Sequence, residues 1–63
     1  MEGTIKRLVK EKGFGFIRCQ DSEYFFHRSS LINLNWDELQ EGDTVNFDVE
    51  KSPKGPRANN VSK

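Results

Sequence analysis

Two short segments hold most of the side chains in this 63-residue chain that can do chemistry: Lys12-Gly13-Phe14-Gly15-Phe16-Ile17 and, seven residues later, Tyr24-Phe25-Phe26-His27. Four of the five phenylalanines lie in them. Alternate residues of a strand face opposite sides, so Phe14 and Phe16 share one face, as do Phe25 and His27. Leaving Phe14, Phe16 and Phe25 in water forgoes roughly 1.5 to 3 kcal/mol of burial per ring, and a contiguous exposed aromatic patch marks a binding surface. The chemistry is therefore non-covalent. His27 is the only histidine and Cys19 the only cysteine. No second histidine, paired cysteine or plausible nucleophile–base set accompanies them, so no catalytic residue, no enzyme activity, no metal site and no cofactor is expected. The plain reading of His27 is a hydrogen-bonded surface residue, and that of Cys19 a small buried apolar one.

Length and charge narrow the class of molecule. Sixty-three residues make one domain, residues 1–63, near the smallest size that folds without disulfides or metal, with no room for a deep cleft. A lone cysteine suits a reducing, cytoplasmic compartment. No apolar run is long enough to span a membrane or to form a signal peptide, so no membrane partner is expected, nor a small-molecule substrate, and the chain reads as a monomer. Ten basic residues balance ten acidic ones, which by itself argues against a nucleic-acid partner. The distribution argues the other way. Lys6, Arg7, Lys10, Lys12, Arg18 and Arg28 crowd the first 28 residues, and Lys51, Lys54, Arg57 and Lys63 the last 13, where no acid occurs. Between them Asp37, Glu38, Glu41, Asp43, Asp48 and Glu50 run without a single cation, which predicts one basic aromatic side and one acidic side, unless the charges only solvate the surface.

The elements that must position these residues are strands. Gly3 to Lys10 reads as a first strand with Ile5 and either Leu8 or Val9 inward, and Phe14 to Cys19 as a second. In the second, Gly15, Ile17 and Cys19 share the inner face, Gly15 leaving space for close approach, while Phe14, Phe16 and Arg18 face out. Tyr24 to Arg28 is the third, with Tyr24 and Phe26 joining Ile17 in the core. Residues 29–43 lack alternation and read as a long loop, with Ser29 or Ser30 capping one helical turn. Thr44 to Glu50 alternates most cleanly, predicting a fourth strand with Val45, Phe47 and Val49 inward. Residues 52–56 hold both prolines and read as a loop, followed by a short closing strand from Arg57 to Val61. Five short strands punctuated by glycine and proline predict an all-β fold, a small closed barrel without exposed edges.

These residues resemble the cold-shock domain family. Gly3-Thr4-Ile5-Lys6, Lys12 to Ile17, Phe25-Phe26-His27-Arg28-Ser29, Leu39 to Gly42 and Gly55 to Val61 stand in that family's order and approximate spacing, across nearly the whole chain. Lys-Gly-Phe-Gly-Phe-Ile and Phe-Phe-His are similar to its two ribonucleoprotein motifs. The resemblance implies a five-stranded antiparallel oligonucleotide-binding (OB-fold) barrel that binds single-stranded RNA or DNA and acts as a nucleic-acid chaperone in transcription or translation. Every base has a π-face, so rings on a rigid sheet hold successive bases with little regard to sequence, each stack contributing about 1 to 3 kcal/mol. Phe14, Phe16, Phe25 and His27 are the expected platforms. Lys6, Arg7, Lys12, Arg18, Arg28, Lys54 and Arg57 are the expected cationic contacts. Trp36 aligns with an aromatic of the family's long loop, where it can fold over a base or, alternatively, anchor the loop.

Two departures set this chain apart from the family pattern. Arg7-Leu8-Val9 stands where the family typically has Trp-Phe-Asn, and Arg28 where it often has Phe after the histidine. Both exchange an aromatic for a cation, so the family's base preference is not carried over. The connection at residues 20–23 is short, and its contacts are not carried over either. A competing reading from a different class is a protein-interaction barrel whose aromatic face holds a peptide or subunit, which the zero net charge favours. An RNA-processing enzyme lacks any catalytic set.

Overall fold

The computed structural model describes all 63 residues, and it is all β apart from two single 3-10 turns. The strands are β1 (Glu2–Val9), β2 (Phe14–Cys19), β3 (Ser22–His27), β4 (Thr44–Ser52) and β5 (Gly55–Ser62). They close in the order β1-β2-β3-β5-β4, with every pairing antiparallel except that of β3 with β5, as the predicted barrel requires. No helix is long and apolar enough to cross a membrane.

Closing so small a barrel demands sharp bends, and two β-bulges supply them. On β1 the register with β2 slips between Ile5 and Arg7. Ile5 is buried, Lys6 and Arg7 are both exposed, and Leu8 packs against the core. Strict alternation would place Ile5 and Leu8 on opposite faces; the extra residue brings both inward and turns Arg7 out beside Phe16, its partner on β2. Leu8, rather than Val9, is therefore the inward residue. The second slip lies between β4 and β5, where Asn46 faces Ser62 and Asp48 faces Asn59. Asn60 takes up the extra position at φ 52° and donates from Nδ2 to Asp48 Oδ2 at 3.0 Å. Ala58 and Val61 both reach the core as a result.

Nine apolar residues fill the barrel: Ile5, Ile17, Cys19, Phe26, Leu39, Val45, Phe47, Ala58 and Val61. Tyr24 packs at their margin with its ring 5.4 Å from that of Phe47. Gly15 is required by that packing. A Cβ there would lie 2.6 Å from the Arg7 carbonyl oxygen and 2.9 Å from both Leu8 Cδ2 and Phe26 Cε1, so only a bare α-carbon lets β1 and Phe26 close over the inner side of β2.

Four expectations need correction. Val49 is 40 % exposed rather than inward, because β4 pairs with β1 only through Thr44–Asn46, and beyond that point the β4 edge that carries Val49 has no strand on its β1 side. Residues 52–56 are not a loop: Ser52 pairs with Gly55 around a two-residue turn at Pro53-Lys54, and Pro56 continues the ladder opposite Lys51. The turn after β3 (Arg28–Ser30) is capped by His27, not by a serine. The long loop also contains a second turn, Trp36–Glu38, capped by Asn35 Oδ1 accepting from the Asp37 N–H at 3.2 Å.

Candidate nucleic-acid interface

Phe14, Phe16 and Phe25 form one cluster on the outer face of β2 and β3. Pairing across the strands sets Phe16 opposite Phe25 and Phe14 opposite His27. Ring centroids lie 6.1 Å apart for Phe14 and Phe16, 5.6 Å for Phe14 and Phe25 and 6.0 Å for Phe16 and Phe25. At these separations aromatic pairs attract by about 0.5 to 1.5 kcal/mol beyond their area burial. Each ring thus shelters its neighbours: Phe25 is 37 % exposed, and Phe14 and Phe16 are half-buried. Mutual contact restricts their rotamers before a ligand arrives, which lowers the entropy lost on binding.

His27 is oriented by its own turn. Its Nδ1 accepts from the Ser29 backbone N–H at 3.1 Å and lies 2.9 Å from Ser29 Oγ. In the neutral ring this places the proton on Nε2, leaving an N–H donor beside Phe14.

Cations border the cluster on every side. Arg7 lies across from Phe16 on β1, Arg18 follows Phe16 on the same face of β2, and Arg57 of β5 pairs with Phe25. Arg28 donates its backbone N–H to the Gly13 carbonyl at 2.9 Å. Its side chain crosses Gly13 so closely that a Cβ there would lie 3.1 Å from Arg28 Cδ, and Gly13 also holds φ 76°. Lys12 projects from the turn beside it. Lys6 is less free than the others, because its Nζ donates to Glu23 Oε2 at 2.6 Å. That bond and the Lys6 charge hold the Glu23 carboxyl below its ordinary value, with Arg18 contributing. Beyond Phe25 the face continues into an open cleft of about 440 Å³, lined by Phe25, Ser52, Lys54, Gly55, Pro56 and Arg57. Ser52 Oγ donates to the Gly55 carbonyl at 2.5 Å and firms up the cleft wall.

The profile of the family described as 'Cold-shock' DNA-binding domain matches residues 1–63. The chain belongs to the cold-shock domain family. It is 42 % identical over 64 residues to the cold shock-like protein CspB of Bacillus cereus, covering all of this chain and 98 % of that protein. It is 44 % identical to the cold shock protein ScoF of Streptomyces coelicolor, over 95 % of this chain and 92 % of the relative. It is 43 % identical to the major cold shock protein of Streptococcus pyogenes serotype M18, over 98 % and 94 %.

In this cold-shock domain the expected residues divide by position. Phe14, Phe16, Phe25, His27, Arg7, Arg18, Arg28, Lys12 and Arg57 gather on or around one face, with Lys54 at the cleft beyond it. Trp36 stands apart. Its ring meets Phe26 edge-on at 6.0 Å, its Nε1 donates to the Lys10 carbonyl at 3.4 Å, and Lys10 Nζ lies 5.3 Å above it while donating to the Trp36 carbonyl at 2.5 Å. These contacts tie the long loop to the β1–β2 turn.

The acidic stretch is partly neutralised in the fold. Asp43 pairs with Lys63 at 2.9 Å and accepts from the Gln40 N–H, which together hold its carboxyl below the ordinary value. Glu50 lies 3.9 Å from Arg57, and Glu41 accepts from the Leu8 N–H at 3.0 Å. Sequence reasoning missed four supporting residues: Ser29 behind His27, Gly13 beneath Arg28, Glu23 on Lys6, and Ser52 in the cleft. Only Ser29 left a readable sign, a hydroxyl residue two positions after the histidine, the spacing of a local side-chain-to-backbone bond.

Proposed function

We propose that this cold-shock domain binds single-stranded RNA and DNA on the Phe14–Phe16–Phe25 face and works as a nucleic-acid chaperone. The observation that carries this reading is the contact of three phenylalanine rings on the outside of the barrel, bordered by arginines. A surface of that kind offers stacking to any unpaired base and ion pairing to the phosphates on either side. A duplex keeps its bases stacked on each other and presents no open π-face, so it gains only the ionic part. Differential binding of this size draws a weak hairpin toward its open form by mass action, and that is how the domain affects transcription or translation. The domain acts alone, as a cytoplasmic monomer, without cofactor or metal, and turns over no substrate. Lys54, Arg57 and the cleft beyond Phe25 extend the strand's path, Lys12 and Lys6 flank it, and Trp36 meets the strand where it leaves the platform.

Fluorescence anisotropy of a labelled seven-base strand, titrated with the protein over a salt series, tests this. Single strand is expected to bind more tightly than its duplex, with affinity falling as salt rises. Equal affinity for both, or none at low salt, contradicts it. The zero net charge favours the alternative, a peptide-binding barrel, which predicts little response to salt and nucleic-acid assays indifferent to Phe14→Ala.

A further inference from the structure

All four arginines of the chain, Arg7, Arg18, Arg28 and Arg57, border the phenylalanine cluster, whereas the six lysines are spread around the molecule. Two of the four have a carboxylate nearby: the Arg18 charge acts on Glu23, and Arg57 lies 3.9 Å from Glu50. Arg7 and Arg28 form no ion pair and no side-chain hydrogen bond, so both guanidinium forks are unused. Both are also held in place. The β1 bulge turns Arg7 outward opposite Phe16, and the stem of Arg28 lies across Gly13 at the end of β2 that carries Phe14.

We infer that Arg7 and Arg28 select guanine in the bound strand by bidentate hydrogen bonding to its O6/N7 edge. The inference rests on the proposed binding of single strands to this face. A base stacked on Phe16 or Phe14 directs its edges sideways, parallel to the ring below and over the neighbouring backbone. Arg7 rises from the adjacent strand, about 4.8 Å to the side, and Arg28 from the turn at the end of the cluster. A guanidinium presents two parallel N–H donors, and on this edge guanine alone among the four bases offers two adjacent acceptors, O6 and N7, to match them. On the corresponding edge thymine offers the single acceptor O4, cytosine an amino donor, and adenine pairs N7 with an amino donor that opposes the fork. An aromatic at either position can only stack, and stacking tolerates any base.

The probes are labelled heptathymidylates with thymine, guanine or 7-deazaguanine at the central position, titrated over one salt series and compared at equal salt. 7-Deazaguanine keeps the ring system and O6 but lacks the N7 acceptor. The guanine strand is expected to bind at least about fivefold more tightly than the all-thymine strand, and 7-deazaguanine to lose most of that gain. The double variant Arg7→Trp, Arg28→Phe is expected to bind all three strands alike. Equal binding of guanine and 7-deazaguanine by the unsubstituted protein overturns the inference without any variant having to fold. A guanine preference that survives in the double variant overturns it too. If all three strands bind equally and only the salt response drops in the double variant, the arginines contact phosphate, and the inference falls while strand binding stands. If none binds, both fall.

Discussion

At the scale of single residues, the same residue type performs opposite tasks one position apart. Phe25 and Phe26 are neighbours in β3, yet one is 37 % exposed in the outer cluster and the other 1 % exposed in the core. Phe26→Ala removes a ring packed against Trp36 and leaves a cavity, so it is expected to cost about 3 to 5 kcal/mol of stability by denaturant unfolding, enough to unfold a domain this small. Phe25→Ala is expected to leave the barrel folded and to weaken single-strand binding by about 1 to 3 kcal/mol in the same anisotropy titration. The alternation of aromatic residues in β2 and β3 was enough to make this division from the sequence, because strand parity is strict where one face is buried. The anchoring of Trp36 was legible only as one of two alternatives, and its partners were not. It depends on a carbonyl and an ammonium of Lys10, 26 positions away, and no local spacing encodes such a contact.

At the scale of elements, the bulge in β1 matters most to the site. A period-two reading of β1 assigns Arg7 to the face of Ile5, and only the extra residue at the register slip frees it for the outer surface. The chain signals the need for this indirectly: Ile5 and Leu8 are both apolar at a spacing that straight alternation cannot bury together. On a strand without guanine, where Arg7 is left to the phosphates, Arg7→Trp is expected to keep or raise affinity while flattening the plot of log affinity against log salt by up to about one unit. An unchanged slope means Arg7 does not touch the phosphates. The close approach of β1 to β2 gives a second test. Gly15→Ala drives a Cβ to 2.6 Å from the Arg7 carbonyl oxygen, so it is expected to destabilise the barrel by about 1 to 3 kcal/mol and to disturb Arg7 in amide spectra. The β4–β5 hairpin was misread for a physical reason. Two prolines around a lysine and a glycine suggest an irregular loop, but Pro53 sits in the turn itself and Pro56 on the projecting end of the ladder, where a missing N–H is tolerated.

For the whole molecule, a net charge of zero conceals an uneven surface. The aromatic face carries Arg7 and Arg28 without ion pairs, while Asp43 and Glu50 of the acidic stretch lie beside the C-terminal cations Lys63 and Arg57. The charge blocks were plain in the sequence; which of them close on each other depends on how the barrel brings residue 43 to residue 63, and no composition reveals that. Glu23 and Asp43 both have lowered carboxyl values, caused first by their hydrogen bonds to Lys6 and Lys63. A lowered folded-state value stabilises the fold above the ordinary carboxylate range, and that contribution is lost as pH falls through and below roughly pH 4. Thermal melts from pH 7 downward are therefore expected to hold steady and then decline in that acid window, with Asp43→Asn showing a smaller decline. The central claim, that unpaired bases lie on the outer phenylalanine cluster, is tested most directly by mapping amide chemical shifts as an unlabelled seven-base strand is added. The account predicts that the largest changes fall on Phe14 to Arg18, Phe25 to Arg28, Arg7 and the Lys54–Arg57 edge of the cleft. Changes centred on residues 37–50 instead, or none at saturating strand, would contradict it.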